Sequence, residues 1–539
     1  MSKKIYAWED SRKSILTGMK KVNDVVSATF GPKGRNIILD RGNTSPVVTN
    51  DWVTVAREIF LEDPIENIWA TMIKEAAEKT NREAGDGTTL TTLLTYEIVR
   101  EWLKHISTGT NPFLLGKALH KTKDAIINGL KKLAKQITTR EETEQIANIS
   151  SQDEEVGKLI ADVMEQVGHQ WTITVDDGII PGLYSEVKMG MHIDQGYLSP
   201  YFITNQETWE AILENPYILI TDKKIARIEE IIPICEKVIA EKSKEIVIIA
   251  EHIEEDVLGW LIISKRAWAI NVICISAPDY GVYKKETLED IAVMTWWTVI
   301  LEALWDKLED IELTQLGKAE KIIAKKDSTI ILNWSGTEKN IQERADMMAI
   351  QIKKRDGLEQ QKLQTRLARL TGGVWIIRVG AYSKVEMNNK KDKIEDAINS
   401  TKSAIEEGIV DGWGIPLLHI SISMENQGRS FVIGDVKKID LAEEHRIALT
   451  IMRNALKSPI MRIAENAWYN GWRVMERCRE KLEVGFDAKT WTFVNLMEKW
   501  IIDPVKVLRV ALENSVSTAI MVLTSEAVIT ENILPIEKR

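Results

Sequence analysis

Three short apolar runs, Tyr217-Ile-Leu-Ile, Glu245-Ile-Val-Ile-Ile-Ala and Asn271-Val-Ile-Cys-Ile, stand in the middle of the chain with polar, helix-like segments between them. Such alternation is the pattern of strands joined by helical crossovers, and it predicts an α/β unit in this region. The flanks read differently. Ser11 to Phe30 carries Ile15, Met19, Val22 and Val26 on one helical face. Gly31-Pro32-Lys33-Gly34 breaks that helix, and Asn36 to Leu39 with Val47-Val48 read as short strands around a turn. Residues 64–84 and 88–106 are helical, joined by Gly85-Asp86-Gly87, and another helix covers 112–134. Charged helices run from about 338 to 370, Gly372-Gly373 precedes a strand over Val374 to Val379, and helices dominate from Lys390 onward.

The expected class is therefore α+β and multidomain, with a middle domain inserted into a helical one whose halves lie at the two chain ends. At 539 residues the chain exceeds one core and predicts two to four domains. It is 44% hydrophobic and 28% charged, as an ordinary globular protein is. A net charge of -10 argues against sequence-independent nucleic-acid binding, which needs surplus Lys and Arg. The start, MSKKIYAWEDSRKSI, lacks the apolar segment of a secretory signal, and no stretch reads as a membrane span. Cys235, Cys274 and Cys478 are far apart and form no CxxC pair, which suits a reducing compartment. A cytoplasmic protein without nucleic-acid or membrane partners is the expectation.

Gly85-Asp86-Gly87-Thr88-Thr89 opens a helix, where free backbone N–H groups and the helix dipole favour phosphate. Asp86 would repel phosphate unless a cation lay between them, so it reads as a Mg²⁺ ligand. Taken alone, the turn is a weak signal and reads first as a plain helix start. No Walker A sequence is present. Thr29-Phe30-Gly31-Pro32-Lys33-Gly34 and Gly408 to Gly414 each read as a helix-ending turn or as a phosphate-approaching loop. Asp396, within KKDKIEDAI, reads as a solvated helix face or as a catalytic carboxylate.

Six segments taken together resemble the group I chaperonins, the GroEL family: ATFGPKGRNIILD (28–40), TNDWVTVAREI (49–59), AGDGTTLTTLL (84–94), GYLSPYF (196–202), KIEDAINSTKSAIEEGIVDGWG (393–414) and IIDPVKV (501–507). They occur in the family's order, and the resemblance covers essentially the whole chain. It implies an ATP-hydrolysing machine that encloses other proteins while they fold. It also implies an equatorial domain (1–133 and 407–539), an intermediate domain (134–188 and 373–406) and an apical domain (189–372).

The resemblance further implies site residues. Thr29, Phe30, Gly31 and Pro32 match the loop that wraps the nucleotide, and Asp86, Gly87, Thr88 and Thr89 match the phosphate and Mg²⁺ loop. Asp51 and Asp396 match the two carboxylates near the γ-phosphate, with Asp396 orienting the attacking water. Asp503 and Asp487-Ala488-Lys489 match the base and ribose end, with Ile149 and Ser150 nearby. Tyr197, Tyr201, Phe202, Ile232, Cys235, Leu258, Ile262 and Ile263 match an apolar groove that holds unfolded chains by burial; read alone, they are core residues first. Gly190, Gly372 and Gly373 match hinges where permissive backbone allows rotation. The implied cofactors are ATP, Mg²⁺ and K⁺. The implied partners are copies of the chain in rings of seven, usually two stacked, a GroES-type lid and unfolded client proteins.

This chain departs from the pattern at several points. Leu90 stands for a third Thr, Asn50 for a Lys, Asp487 for an Asn, and the chain ends at PIEKR without a Gly-Met-rich tail. There are 18 Trp against 7 Phe and 10 Tyr. Fifteen of these tryptophans (8, 52, 69, 102, 171, 209, 268, 296, 297, 305, 334, 413, 468, 491 and 500) stand where the family has Gly. Trp413 is expected to fill the nucleotide pocket with an indole. The account offered for all fifteen is a UGA codon, read as Gly by some bacteria and rendered as Trp. If Trp413 is real, a ring or holdase that binds unfolded chains without turnover becomes the better reading. A phosphotransferase would need a second-substrate hydroxyl site, for which no motif is present.

Overall fold

The computed structural model describes residues 3–40, 47–49, 52–106, 109–151, 153–167, 172–178, 180–206, 208–240, 244–279, 282–295, 308–334, 338–352, 358–371, 373–427, 443–481 and 484–531. The chain divides into two compact units. One combines Met1–Asp162 with Asp392–Arg539, and the other is Val163–Lys391.

The split unit is built on long helices whose ends are written in the sequence. Pro64–Ala84 starts at Asp63, whose carboxylate accepts the N–H groups of Ile65 (2.8 Å) and Glu66 (3.0 Å), and it stops at Gly85 with φ 70°. Pro112–Leu133 starts the same way on Asn111, which accepts from Phe113 and Leu114. In both, proline follows the cap, where its missing N–H costs nothing. The expected stripe Ile15, Met19, Val22 and Val26 on Trp8–Ser27 is fully buried, in the same apolar core that holds Ile73, Leu94 and Val99 and Leu508, Leu512 and Val516 of Val505–Thr524. Each such side chain contributes about 1.5–3 kcal/mol by leaving water. Val505–Thr524 is long and apolar enough to cross a membrane, yet most of it is buried inside this core. Its edge carries Lys506 and Arg509, which pair with Glu406 and Glu407.

The contiguous unit carries a nine-stranded sheet. Asn271–Ser276, Glu245–Ala250 and Tyr217–Ile220 lie side by side and parallel, and Ile232–Ala240 and Glu255–Arg266 are the helices between them in the chain. These are the three apolar runs of the sequence. Val247, Ile248 and Ile249 are fully buried, which explains why the run is apolar at every residue rather than at alternate ones. The sheet continues antiparallel through Gly317–Ala324, Thr329–Trp334, Gly182–Ile193 and Gly373–Gly380, and Thr172–Asp177 then pairs parallel with the last of these.

Strand Gly182–Ile193 changes partner midway. Residues 182–189 pair with Gly373–Gly380, whereas Gly190 to Ile193 pair with Thr329–Trp334. Gly190 is the first residue after the change. A Cβ there would lie 2.3 Å from Cγ2 of Val374, so close approach alone requires glycine at this position. Gly373 opens its strand, and Gly372 lies outside the described residues.

Beside the sheet, three helices are tied by buried charge. Asp290 of Val282–Thr295 accepts from Arg344 Nε (2.9 Å) of Glu338–Ile352 and from Arg366 Nε (2.8 Å) of Leu358–Thr371. Burial pushes the Asp290 carboxyl up against the pull of both guanidinium groups.

Candidate functional site

In the split unit the Gly85-Asp86-Gly87 turn has left-handed backbone at both glycines, with φ 70° and 88°. A Cβ at 85 would lie 2.4 Å from Cβ of Asn399, and one at 87 would lie 2.8 Å from Cγ1 of Val507. Only glycine satisfies the conformation and the space together. Thr88 and Thr89 then open Thr88–Ile106, where first-turn N–H groups lack intrahelical acceptors. Leu90 turns into the core beside Leu94, so its side chain leaves the turn altogether.

Asp86 accepts from its neighbour Gly87 N–H (2.5 Å) through Oδ1 and from Ser400 Oγ (3.0 Å) through Oδ2. Ser400 lies on Lys384–Glu407, where Ser403 Oγ also reaches Ala84 O at 3.1 Å. Asp396 is exposed on that helix one turn before Ser400, about 6 Å along the axis and on the same face. The helix thus carries one carboxylate toward another across more than 300 residues of sequence. Solvent touches Asp86, yet the protein packed around it pushes its carboxyl up, with its two hydrogen bonds opposing.

Asp503 lies on Ile502–Pro504, opposite Val410 of Ile409–Asp411. Burial, and then the charge of Asp86, push its carboxyl up to about 7, with Asp411 adding to the effect. The N–H groups of Gly414 and Trp413 donate to it and oppose the shift. Negative charge from Asp86, Asp411 and Asp503 therefore converges here. Among the described residues, no set of three or more His, Cys, Asp or Glu side chains is placed to hold a metal ion by itself. A divalent ion at Asp86 would need further oxygens from phosphate or water, which fits a nucleotide-borne Mg²⁺.

The remaining expected residues border the same unit. Thr29 donates to Val26 O (2.8 Å), and the amide of Asn466 donates to the carbonyls of Ser27 and Phe30, both at 2.8 Å. Gly31 has φ 83°, and its Cβ position would lie 3.0 Å from Cγ1 of Ile463. Pro32 follows it, half-buried. Phe30 and Trp413 both lean on the cluster of Ile415, Leu418, Ile460 and Ile463, and Trp413 has φ 56°. Asp487 spends its carboxylate on its own turn, accepting from Lys489 N–H (2.8 Å) and Thr490 Oγ1 (2.6 Å). Ala488 is buried and Lys489 exposed. Ile149 packs against Ile146, Ala404, Ile409 and Ile502, next to the strand of Asp503, and Ser150 is half-buried beside it in the chain. Asn50 and Asp51 lie outside the described residues.

The expected apolar groove divides. Tyr201 and Ile263 are exposed, and Ile232, Leu258 and Ile262 are half-buried on Ile232–Ala240 and Glu255–Arg266. Tyr197, Phe202 and Cys235 do not belong to it. All three are packed in the core of the contiguous unit, and burial pushes the Cys235 thiol up to about 12. Tyr197 is bridged to Ile275 and bonded to Lys325 O, so its segment is fixed inward. Leu198, exposed beside them, was not expected; it is the neighbour of a buried Tyr, the position alternation would have offered. Ser400 was also missed, although its spacing of four from Asp396 is a helical signal.

Residues 22–532 match the TCP-1/cpn60 chaperonin family. The chain belongs to that family. Its fold is of the GroEL type. The chaperonin gp146 of bacteriophage EL 2 (Pseudomonas aeruginosa), crystallised in the presence of ATP-BeFx, is similar in fold at 20% identity with a TM-score of 0.70, covering 98% of this chain and 99% of that one. A second crystal form of gp146 gives 0.60 at 21% identity with the same coverage.

Proposed function

We propose that this chaperonin binds and hydrolyses ATP and uses the cycle to capture unfolded proteins and release them into a closed ring chamber. The observation that carries the reading is the Ser400–Asp86 hydrogen bond, which joins the helix of Asp396 to a glycine turn suited to phosphate. In this reading the N–H groups of Thr88 and Thr89 bind phosphate oxygens, Asp86 holds Mg²⁺, and Asp396 orients the attacking water, with Asp51 as a second carboxylate. Bound Mg²⁺ would neutralise charge on the phosphates, and K⁺ is proposed as a second cation. The family resemblance and the presence of ATP-BeFx with gp146 support the choice of nucleotide. The strip of exposed Tyr201 and Ile263 with half-buried Ile262 would hold client chains by apolar burial.

Ring assembly is proposed on family membership and on two two-stranded ribbons with outward apolar pairs. Ile5 faces Ile529 on one ribbon and Ile38 faces Val48 on the other, all four exposed. Rings of seven, a stacked pair, a GroES-type lid and the cytoplasm complete the proposal. So does the division into equatorial (1–133, 407–539), intermediate (134–188, 373–406) and apical (189–372) domains, with Gly190, Gly372 and Gly373 as hinges.

The second reading, a holdase without turnover, is favoured by Trp413, which packs on the same apolar cluster as Phe30 of the proposed nucleotide loop. Purified protein with Mg²⁺-ATP separates the two. Phosphate release that falls at least about 100-fold in Asp396→Ala, with nucleotide affinity retained, supports the ATPase. Asp86→Ala should instead weaken Mg²⁺-ATP binding itself in calorimetry. Absence of phosphate release from the unaltered protein leaves the holdase.

A further inference from the structure

Ten described residues other than glycine have left-handed backbone, and six of them are tryptophan: Trp209, Trp268, Trp413, Trp468, Trp491 and Trp500, with φ between 56° and 64°. Three of the other four are Asn215, Asn333 and Asp279, the residue types whose short polar side chains tolerate this region, and the last is Lys244. Tryptophan has no such reason to be there.

Three of the six close the same turn. After Glu255–Arg266, Trp268 N–H reaches Lys265 O and Ala269 N–H reaches back to Ser264 O at 3.1 Å. After Ser458–Asn466, Trp468 N–H reaches Glu465 O and Tyr469 N–H reaches back to Ala464 O at 2.9 Å. Trp500 and Ile501 repeat the pattern on Met497 and Leu496. A second N–H returning five residues, across one left-handed residue, is the helix-ending turn whose left-handed position is ordinarily glycine. Where this chain does write glycine at a helix end, at Gly85 and Gly408, the backbone takes the same region, with φ 70° and 85°. Trp413 sits between Gly412 and Gly414 in a loop folded onto Asp503.

Burial does not explain the indoles. Trp268 is 88% exposed and Trp468 82%, and Trp209 and Trp491 are exposed as well. Trp491 donates to Ala467 O and lies under Lys33, and Trp468 lies under Arg35, surface contacts of the weak kind. By contrast Trp260, Trp375 and Trp472, which lie outside the set of fifteen, sit in regular helix or strand. Trp52, Trp69 and Trp102 fill helical core positions, and the backbone there carries no argument.

We infer that the natural polypeptide carries glycine at positions 209, 268, 413, 468, 491 and 500, each encoded by UGA. The inference rests on backbone geometry and stands whether or not the chain hydrolyses ATP. With glycine at 413, residues 412–414 become three consecutive glycines beside Asp503, bare backbone that a ligand can approach closely.

The test is the protein purified from its source organism, digested with trypsin. The peptide between Lys489 and Lys499 reports position 491, and the peptide following Arg266 reports position 268. Glycine by mass spectrometry at both, with UGA at all six codons, is the expected result; tryptophan in either peptide, or UGG at any of the six, overturns it. In recombinant protein the variant with all six Trp→Gly changes should melt at a higher temperature than the tryptophan form, while Trp472→Gly, inside a helix, should melt lower. A lower midpoint for the sixfold variant would refute the conformational argument.

Discussion

Ser400 donates a 3.0 Å hydrogen bond to Asp86, and Asp86 in turn raises the carboxyl of Asp503. Three segments far apart in sequence thus share one electrostatic environment inside the split unit. The hydroxyl supports the charged form of Asp86 where burial opposes it.

Removing that hydroxyl should therefore weaken any cation held at residue 86. A hydrogen bond to a charged group contributes about 1.5–3 kcal/mol. Ser400→Ala should lower Mg²⁺-ATP affinity by roughly tenfold or more in calorimetry, with helix content by circular dichroism unchanged. Unaltered affinity would mean that Asp86 does not hold the ion.

The exposed strip and the core beneath it should respond differently to substitution. Tyr201→Glu or Ile262→Ser places charge or polarity on the strip, and each should abolish suppression of aggregation of an unfolded protein while thermal stability is nearly retained. Phe202→Ala, one residue along and fully buried, should instead destabilise the contiguous unit by about 3–5 kcal/mol in denaturant titration.

Asp290 holds two arginines on separate helices. Asp290→Ala leaves both guanidinium groups without this partner, and loss of one member of a buried ion pair costs about 3–5 kcal/mol. The chaperonin should unfold at lower denaturant concentration. The double change Asp290→Leu with Arg366→Met should recover part of the loss.

Asp503 should make the nucleotide-free protein pH-sensitive. Its folded carboxyl titrates near 7, above the ordinary 3.8, so the fold holds a proton that the unfolded chain has released. Stability then falls as pH rises from about 4 to 7 and levels off above, by at most about 1.4 kcal/mol per pH unit. Asp503→Asn should gain in melting temperature relative to the unaltered protein over that interval and keep a constant advantage above pH 7. An advantage that shrank with rising pH would reverse the assignment.

Local signals carried much of the fold. Asp63-Pro64 and Gly85 mark the ends of one helix by capping chemistry, and the all-apolar runs at 217, 245 and 271 mark parallel strands because both faces are covered. The glycine turn at 85–87 was likewise legible, since only glycine meets both its backbone and its neighbours. What stayed hidden depends on partners remote in sequence. Phe202 and Tyr201 are adjacent, and only tertiary packing decides which is core. The partner change at Gly190 is set by Val374, and the shift at Asp503 is set by Asp86. Cys235, apolar and on a helix, is indistinguishable in sequence from the half-buried Ile232 three residues earlier.

The Val505–Thr524 helix, buried among helices drawn from the first quarter of the chain, has a consequence for biosynthesis. A ribosome emits the 163–391 unit whole and in order, so its sheet can form while translation continues. The split unit cannot close its core until residue 524 has emerged, some 360 residues after residue 162. Through that interval the apolar faces of Pro64–Ala84 and Thr88–Ile106 wait for their partner, an arrangement of high contact order prone to association before completion. A machine proposed to shelter exposed apolar chains is itself, during synthesis, a chain that would profit from shelter.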